Sequence, residues 1–301
     1  MLCDIILTTM KTLREYLIEA DQKKIAVGHF NVSTLDGIWA VADAGKKLNV
    51  PVIVGVSEGE RDYIGLNQAV AIIKSIREER QQPIFLNADH TYSFDRVKEA
   101  ILVGVDSVIF DGASLSFQEN LEITKKCVDF AKNHKSTSGE KILIEGELGF
   151  IGKSSKILEE IPSGAVVDED AMTKPEDAKH FVSETGVDLL APAIGNIHGM
   201  IRSGDPALNT NRAKEIRQAI SIPLVLHGAS GNTSSDIRKT IDAGAVIVHV
   251  SSELRVAYHA GLLRSVSVDE DEVSPYKYLK PAKQAMQRVI EEKINIFGLF
   301  H

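Results

Sequence analysis

Eight short apolar runs, rich in valine and isoleucine, alternate along the chain with amphipathic stretches of helical length. The runs occupy residues 25–30, 50–56, 83–89, 107–113, 141–149, 189–195, 223–230 and 246–252. The helical stretches occupy 34–48, 66–80, 93–103, 117–133, 175–185, 210–220 and 233–242, with 253–265 after the last run. Such runs are typical of parallel strands covered on both faces. Eight strand–helix units favour an α/β fold of the closed (β/α)8 barrel type. The alternative is a doubly wound open sheet, but that fold carries a glycine-rich nucleotide turn after its first strand, which GHFNVS (28–33) lacks.

The length of 301 residues suits a single barrel domain that spans 1–301. An amphipathic stretch at 10–22 predicts an extra N-terminal helix before the barrel. The tail from Asp269 begins acidic, is interrupted by Pro275 and Pro281, and ends as an amphipathic helix. We expect this C-terminal helical arm to pack on the barrel or to contact another subunit. The segment 149–173 is longer than an ordinary strand–helix connection, which predicts a lid or a binding loop.

Charge and composition exclude several classes of partner. The formal net charge of -8 argues against a nucleic-acid surface. No apolar run approaches the roughly 20 residues that a membrane-spanning helix requires, and the first residues carry no basic leader or cleavage site. The two cysteines, Cys3 and Cys127, form no ligand spacing and no disulfide framework, which indicates a reducing compartment. We therefore predict a cytoplasmic protein.

The carboxyl ends of several predicted strands carry imidazole or carboxylate side chains. These are Asp89 and His90 on the third strand, Asp111 on the fourth, Glu145 and Glu147 on the fifth, His198 after the sixth, and His227 on the seventh. In a barrel these ends converge on one mouth, and three histidines with an open fourth position form a catalytic zinc pattern. Considered apart from the other histidines, His227 could cap a turn and His198 could be exposed to solvent in a loop. An ideal strand would also direct Asp89 and His90 to opposite faces, so one of them is expected on the turn.

Glycine and hydroxyl residues follow the last two predicted strands. Gly228 and Ser230 follow the seventh strand, and Ser251 and Ser252 follow the eighth. Backbone N–H groups beside glycine and at helix N-termini approach phosphate closely, and these loops are a frequent phosphate site in barrels. The alternative is ordinary turn and helix-cap chemistry.

Six motifs in order resemble the class II, metal-dependent ketose-bisphosphate aldolases, the family of fructose- and tagatose-bisphosphate aldolases. They are DH (89–90), DGAS (111–114), EGELG (145–149), AIGNIHG (193–199), VLHGASG (225–231) and the terminal KINIFG (293–298). The resemblance covers nearly the whole chain.

The resemblance implies a role for each matching residue. His90, His198 and His227 would hold the catalytic Zn²⁺, and Asp89 would move a proton at the oxygen that becomes the aldehyde carbonyl. Asp111 and Glu147 would serve an alternative or second metal position. The dihydroxyacetone phosphate end would be bound through residues matching Ser57, Gly199, Gly228, Ser230 and Ser252. The family also implies a monovalent cation (Na⁺ or K⁺) near the loops after strands six and seven, and a homodimer or homotetramer.

Three departures from the family pattern concern the aldehyde half of the substrate. His249 stands where the family has a substrate-contacting asparagine. Tyr276 stands where an arginine reaches the distal phosphate, with Lys277 or Lys280 as substitutes that lack the bidentate fork. In the long loop, Ser154 and Ser155 stand where an acid is expected, which leaves Glu159 or Glu160 as displaced loop acids. Metal binding is thus expected to be intact and recognition of the aldehyde altered.

The sequence therefore predicts a zinc aldolase that cleaves a phosphorylated ketose reversibly into dihydroxyacetone phosphate and an aldehyde, with fructose 1,6-bisphosphate as the default substrate. The alternatives are an aldolase for a sugar phosphate that lacks the distal phosphate, a metal-dependent hydrolase, and a non-catalytic barrel that binds metal and phosphate.

Overall fold

The computed structural model of the chain describes residues 10–152, 157–161, 165 and 168–301. Within these residues eight strands pair in parallel and close into a barrel in the order β1-β10-β9-β7-β5-β4-β3-β2. Those strands are β1 (Val27–Asn31), β2 (Val52–Val56), β3 (Ile84–Thr91), β4 (Ser107–Phe110), β5 (Leu143–Leu148), β7 (Leu189–Pro192), β9 (Leu224–Leu226) and β10 (Ala245–Val250). Two short strands, β6 (Ile157–Leu158) and β8 (Met200–Ile201), pair outside the barrel. The predicted (β/α)8 barrel is confirmed, and the open-sheet alternative is wrong.

Helices surround the barrel. They are α1 (Leu13–Lys23), α2 (Leu35–Leu48), α3 (Glu58–Ile64), α4 (Leu66–Arg80), α5 (Phe94–Val103), α6 (Phe117–Ala131), α7 (Pro175–Thr185), α8 (Thr210–Ala219), α9 (Ser234–Asp242), α10 (Ser252–Val268), α11 (Pro275–Tyr278) and α12 (Lys280–Phe297). The N-terminal helix and the helical tail are where the periodicity predicts them. Helix α3 and the β6–β8 pair were not predicted, because segments this short carry no measurable hydrophobic period. No helix among the described residues is long and apolar enough to cross a membrane.

Strand alternation divides the barrel interior into an apolar floor and a polar upper layer. Side chains that are two residues apart on a strand point to the same face. Leu143 on β5 belongs to a buried cluster closed from below by Leu17 of α1, and the next inward positions on β5 are Glu145 and Glu147, both buried. The same two-residue step leads from the apolar floor to a buried polar residue nearer the carboxyl end on three other strands, from Val27 to His29, from Phe85 to Asn87 and from Ile247 to His249. The fold therefore places its chemistry at that end.

The C-terminal arm packs against the start of the barrel. Helix α12 contacts α10, α2 and β1. Phe297 at its end is fully buried and packs against Phe30 of β1, with 6.5 Å between ring centroids. The arm is thus part of the barrel's outer layer.

The expectation that Asp89 or His90 lies on a turn is wrong, because β3 contains an irregularity. Both residues lie within the strand, and neither lies on a turn. The pairing of β3 with β4 shifts register between Ala88 and Thr91, and His90 adopts a φ of 30°, a left-handed value that non-glycine residues rarely adopt. This bulge lets two consecutive side chains serve the same site.

Candidate metal centre and active site

A cavity of about 230 Å³ lies at the carboxyl end of the barrel. Eleven residues singled out from the sequence line it, namely Ser57, Asp89, His90, His198, Gly199, His227, Gly228, Ser230, His249, Ser251 and Ser252. They come from β2, β3, β7, β9, β10 and the loops that follow these strands. The barrel therefore brings together side chains that are distant in sequence.

Three histidines form a cluster at the cavity. His90, His198 and His227 each offer a ring nitrogen, and these three nitrogens all lie within 4.8 Å of one another. Nδ1 of His227 faces Nε2 of His90 at 3.2 Å. His198 Nε2 is buried without a hydrogen-bond partner among the described residues. Nitrogens that converge in this way suit a metal ion with one position left for substrate.

In two of these rings, the nitrogen that points away from the histidine cluster contacts a carboxylate. His90 Nδ1 lies 2.9 Å from Asp111 Oδ2, and His227 Nε2 lies 2.7 Å from Glu145 Oε1. Such contacts fix the tautomer, so that the opposite nitrogen presents its lone pair to a metal. Zinc accepts neutral imidazole nitrogens in this arrangement, so the residues present fit a zinc ion.

Asp111 and Glu147 lie behind His90, and the cavity does not reach them. His90 Nδ1 is 3.7 Å from Glu147 Oε2. His90, Asp111 and Glu147 form a second group whose ligand atoms lie within 4.8 Å of one another. The two carboxylates are thus close enough to share an ion with His90.

The electrostatic field around His90 favours a cation. Burial alone would lower the pKa of His90, but Asp89, Asp111 and Glu147 outweigh it and raise that pKa to about 10. Burial, with His90 nearby, lowers the pKa of His227 to about 3 and that of His198 well below its usual value. A positive charge is therefore favoured at His90, while the other two rings stay neutral, which is the form that binds metal.

Asp89 is buried beside the cluster and held from two sides. Asn31 Nδ2 donates to Asp89 Oδ2 at 2.8 Å, and His249 Nδ1 lies 3.4 Å from Asp89 Oδ1. Burial would raise the pKa of Asp89, but His90, His249 and His29 together hold it well below the usual range. Asp89 is therefore a carboxylate poised to accept a proton from a group in the cavity.

His249 lies in the middle of a stack of imidazole rings. Its ring centroid is 3.8 Å from that of His227 and 3.5 Å from that of His29. Burial, with His227 nearby, lowers the pKa of His249 to about 4. The ring thus reaches the cavity as a neutral group between Asp89 and His227.

The loops at the rim bring backbone and hydroxyl groups to the cavity. Gly228 has a φ of 61°, and a Cβ there would lie 2.2 Å from the carbonyl oxygen of Ile197, so this close contact between two loops requires glycine. Ser230 Oγ accepts from the backbone N–H of Ser251 at 3.2 Å. Ser252 begins α10 and Ser57 precedes α3, which places both serines at helix N-termini. Helix N-termini and nearby hydroxyls suit a phosphate group.

Among the described residues, Glu159, Glu160 and Tyr276 lie away from the cavity. Glu159 is exposed and pairs with Arg202 at 2.9 Å, and Glu160 is exposed beside it. Neither lines the cavity. Ser154 and Ser155 fall outside the described residues. Tyr276 is 78% exposed on α11 and does not line the cavity.

Several residues that line or support the cavity were not predicted. Asn31 and Arg255 line it, and Glu60 lies directly behind them. Asn31 directly follows the first predicted run, in the motif NVS, but the local pattern did not mark it as a functional residue. Arg255 and Glu60 lie on helices, where a charged residue ordinarily indicates a solvated face.

Comparison with known proteins agrees with this geometry. A family model described as fructose-bisphosphate aldolase class-II matches residues 11–300. A fructose-bisphosphate aldolase of Staphylococcus epidermidis is 33% identical over 290 residues, which cover 95% of this chain and 96% of the relative. A fructose-bisphosphate aldolase of Staphylococcus aureus is also 33% identical, with the same coverage.

Solved structures give the same result. The crystal structure of the YdjI aldolase from Escherichia coli K12 is 29% identical, with a TM-score of 0.78 over 96% of this chain and 98% of that one. A putative fructose-1,6-bisphosphate aldolase from Coccidioides immitis is 25% identical, also with a TM-score of 0.78, over 95% of each chain. Sequence, fold and site geometry agree, and the chain belongs to the class II fructose-bisphosphate aldolase family, whose members are metal-dependent aldehyde-lyases.

Proposed function

We propose that this protein is a zinc-dependent aldolase that cleaves a phosphorylated ketose reversibly into dihydroxyacetone phosphate and an aldehyde. The observation that carries the proposal is the convergence of His90, His198 and His227 beside the buried Asp89 in one cavity. The names of the relatives make fructose 1,6-bisphosphate the first substrate to test.

In this proposal, His90, His198 and His227 bind the metal, while Asp111 and Glu147 provide a second position behind His90. When bound, a zinc ion would supply Lewis-acid polarisation of the ketose carbonyl during cleavage of the C3–C4 bond. A Schiff-base lysine is then unnecessary. The monovalent cation that the family implies would lie against backbone carbonyls of the loops after β7 and β9.

Asp89 moves the proton at the other half of the substrate. In cleavage it accepts the proton of the C4 hydroxyl, whose oxygen becomes the aldehyde carbonyl, and in synthesis it returns that proton. The low pKa of Asp89 keeps its side chain ionised, so the carboxylate is free of a proton when the C4 hydroxyl must lose one. Asn31 and His249 orient its two oxygens. The proton at C3 of dihydroxyacetone phosphate requires a separate acid or base, for which Glu159 and Glu160 of the long loop are the candidates.

The phosphate of the dihydroxyacetone half is bound at the rim by Ser57, Gly199, Gly228, Ser230 and Ser252. Support comes from the N-terminus of α10, where Ser252 lines the cavity, and from the close contact between the β7 and β9 loops. Local donors of this kind are needed because the protein as a whole is acidic.

The protein is proposed to act in the cytoplasm as a homodimer or homotetramer. Support for self-association comes from exposed apolar side chains on α10 and the following segment. They are Val256, Leu263, Val266, Val268 and Val273. A second copy of the chain on this face would also bring α11, with Tyr276, close to a neighbouring subunit.

A coupled assay for dihydroxyacetone phosphate tests the proposal. Release from a panel of ketose 1-phosphates and 1,6-bisphosphates is measured with chelator and with added Zn²⁺. Chelator-sensitive release that His227→Ala abolishes supports the aldolase. Release of inorganic phosphate without carbon–carbon cleavage would mean a metal-dependent hydrolase, and zinc binding without either product would mean a non-catalytic barrel.

A further inference from the structure

We propose that Glu60 determines the substrate class by neutralising Arg255, so that the cavity selects a ketose 1-phosphate whose distal end is an uncharged polyol. The inference rests on the aldolase function proposed above and names the substrate for that same site. It concerns the aldehyde half of the substrate.

Glu60 is the hub of a buried hydrogen-bond network behind the cavity wall. Its Oε2 accepts from Asn31 Nδ2 at 3.0 Å and from the backbone N–H and hydroxyl of Ser57 at 2.9 and 2.8 Å. Its Oε1 accepts from Arg255 Nη2 at 2.7 Å. Glu60 itself is 7% exposed. One carboxylate thus fixes three residues that line the cavity.

The same network extends to the proposed proton-transfer group. The second N–H of the Asn31 side-chain amide donates to Asp89, so Asn31 lies between two carboxylates. The charge of Glu60 therefore acts close to the reacting atoms as well as on Arg255. Negative charge on two sides disfavours a dianionic group between them.

Among the described residues, Arg255 is the only lysine or arginine that lines the cavity. The planar fork of an unpaired arginine binds a phosphate group in a bidentate manner. Here one arm of the fork is bound to Glu60 and its charge is balanced. The guanidinium has five N–H donors in total, so the remaining donors suit hydroxyl groups of a polyol.

No second arginine and no lysine lines the cavity within the part of the chain that the structure describes. Lys277 is paired with Glu272 at 2.6 Å on the exposed tail. Tyr276 on the same tail is exposed to solvent. A distal phosphate would thus meet one arginine already neutralised by its neighbour.

The Glu60→Gln variant separates charge from scaffolding. Three donors, from Asn31 and Ser57, converge on Oε2, so the amide oxygen of glutamine is expected to occupy that place. The amide nitrogen then faces Arg255 and cannot accept its hydrogen bond. Glu60→Gln therefore keeps Asn31 and Ser57 in position and releases Arg255 to bind a phosphate.

The experiment uses zinc-loaded full-length enzyme in the synthetic direction. Consumption of dihydroxyacetone phosphate is measured with D-glyceraldehyde and with D-glyceraldehyde 3-phosphate, two acceptors that differ only in the distal phosphate. We expect the parent enzyme to favour glyceraldehyde at least 10-fold in kcat/KM. Glu60→Gln should shift the ratio at least 10-fold toward the phosphorylated acceptor, chiefly through its KM, and Glu60→Gln/Arg255→Met should reverse that shift.

Asp62→Asn is the matched control. It removes a negative charge from the same helix α3, but Asp62 is 63% exposed and pairs with Arg96. The control should leave the acceptor ratio unchanged. A parent enzyme that prefers the phosphorylated acceptor, or a Glu60→Gln variant that loses activity equally with both, would overturn the inference.

Exchange of the α-proton of dihydroxyacetone phosphate in D2O, followed by NMR, tests the underlying function without any acceptor. Exchange together with an unshifted acceptor ratio refutes the role of Glu60 and leaves the aldolase intact. Absence of exchange and of condensation refutes the aldolase itself. The two failures are therefore distinguishable.

Discussion

The imidazole rings of His29 and His249 stack face to face, with 3.5 Å between centroids and 8° between planes. The two residues are register partners on the strands that close the barrel. Both residues are buried, and His249 lines the cavity whereas His29 does not. The chain makes room for His29 at Gly55, where a Cβ would lie 2.0 Å from His29 Cε1. The position of His249 thus depends on a glycine on β2.

Gly55→Ala is expected to displace the stack and to destabilise the protein by about 1–3 kcal/mol, as overpacking of a filled core does. Urea unfolding of the metal-free protein measures the loss. The double variant His29→Ala/Gly55→Ala removes the clash and should recover part of the stability. A single variant as stable as the parent would contradict the steric argument.

Glu145→Gln is expected to weaken zinc binding 10–100-fold, because Glu145 holds Nε2 of His227 and thereby orients the opposite nitrogen. Competition with a chelator of known affinity at fixed pH measures the change. Glu160→Gln, on the exposed loop, is the control. Equal zinc affinity in the Glu145→Gln variant and the control would remove Glu145 from the metal centre.

Asp89→Asn is expected to lower kcat for ketose cleavage by roughly 10²–10⁴, the usual contribution of a general acid or base. Zinc binding should persist, because Asp89 is not one of the three clustered ligands. Exchange of the α-proton of dihydroxyacetone phosphate should also persist, since Asp89 acts at the C4 oxygen. Loss of exchange in parallel with cleavage would show that Asp89 acts on the other half of the substrate.

The metal-free protein is expected to lose stability as the pH falls from about 6.5 toward 3. Burial, with His249 nearby, lowers the pKa of His29 to about 3. A group whose pKa is lower in the folded state binds its proton more readily in the unfolded chain, so its stabilising contribution is complete above pH 6.5 and declines below. Each such histidine contributes a slope of up to about 1.4 kcal/mol per pH unit.

The His29→Gln variant tests this slope. The free energy of unfolding against pH between 6.5 and 4 should be shallower in the variant than in the parent. His259→Gln removes an exposed histidine from α10 and serves as the control. Parallel curves for His29→Gln and the parent would contradict a neutral buried His29.

Leu263→Glu is expected to shift the protein toward smaller assemblies, because Leu263 is 53% exposed on the apolar face of α10. Light scattering coupled to gel filtration measures the mass. Tyr63→Glu changes a residue on α3 that is 78% exposed, outside that face, and is the control. A parent protein that is monomeric at micromolar concentration would refute the interface.

The fold followed from the sequence because the strand and helix periods repeat eight times, and each repeat supports the same architecture. The three histidines were found for the same reason, since strand ends in a barrel converge. The bulge at His90 could not be predicted, because a left-handed residue in a strand leaves no mark in the local pattern. The seventh predicted strand, 223–230, was too long, since Gly228 in its positive-φ conformation ends the regular strand at Leu226.

The contact between Glu60 and Arg255 was beyond sequence analysis for a different reason. The two residues lie on separate helices, and their pairing depends on how α3 and α10 approach across the closure of the barrel. His29 was not singled out from the sequence, and its role became visible only through the ring that it supports. Periodicity predicts which face a side chain occupies, but the partner on the facing element depends on tertiary packing.

Closure of the barrel through β1 and β10 joins the first and the last strands to be synthesised. Before β10 emerges, β1 and β9 each expose an edge of unpaired N–H and C=O groups, and such edges are templates for pairing between chains. A chain that ends before Ala245 is therefore expected to aggregate. In the complete chain, the pairing of β1 with β10 joins residues that are far apart in the sequence. Refolding should therefore be slow and sensitive to protein concentration.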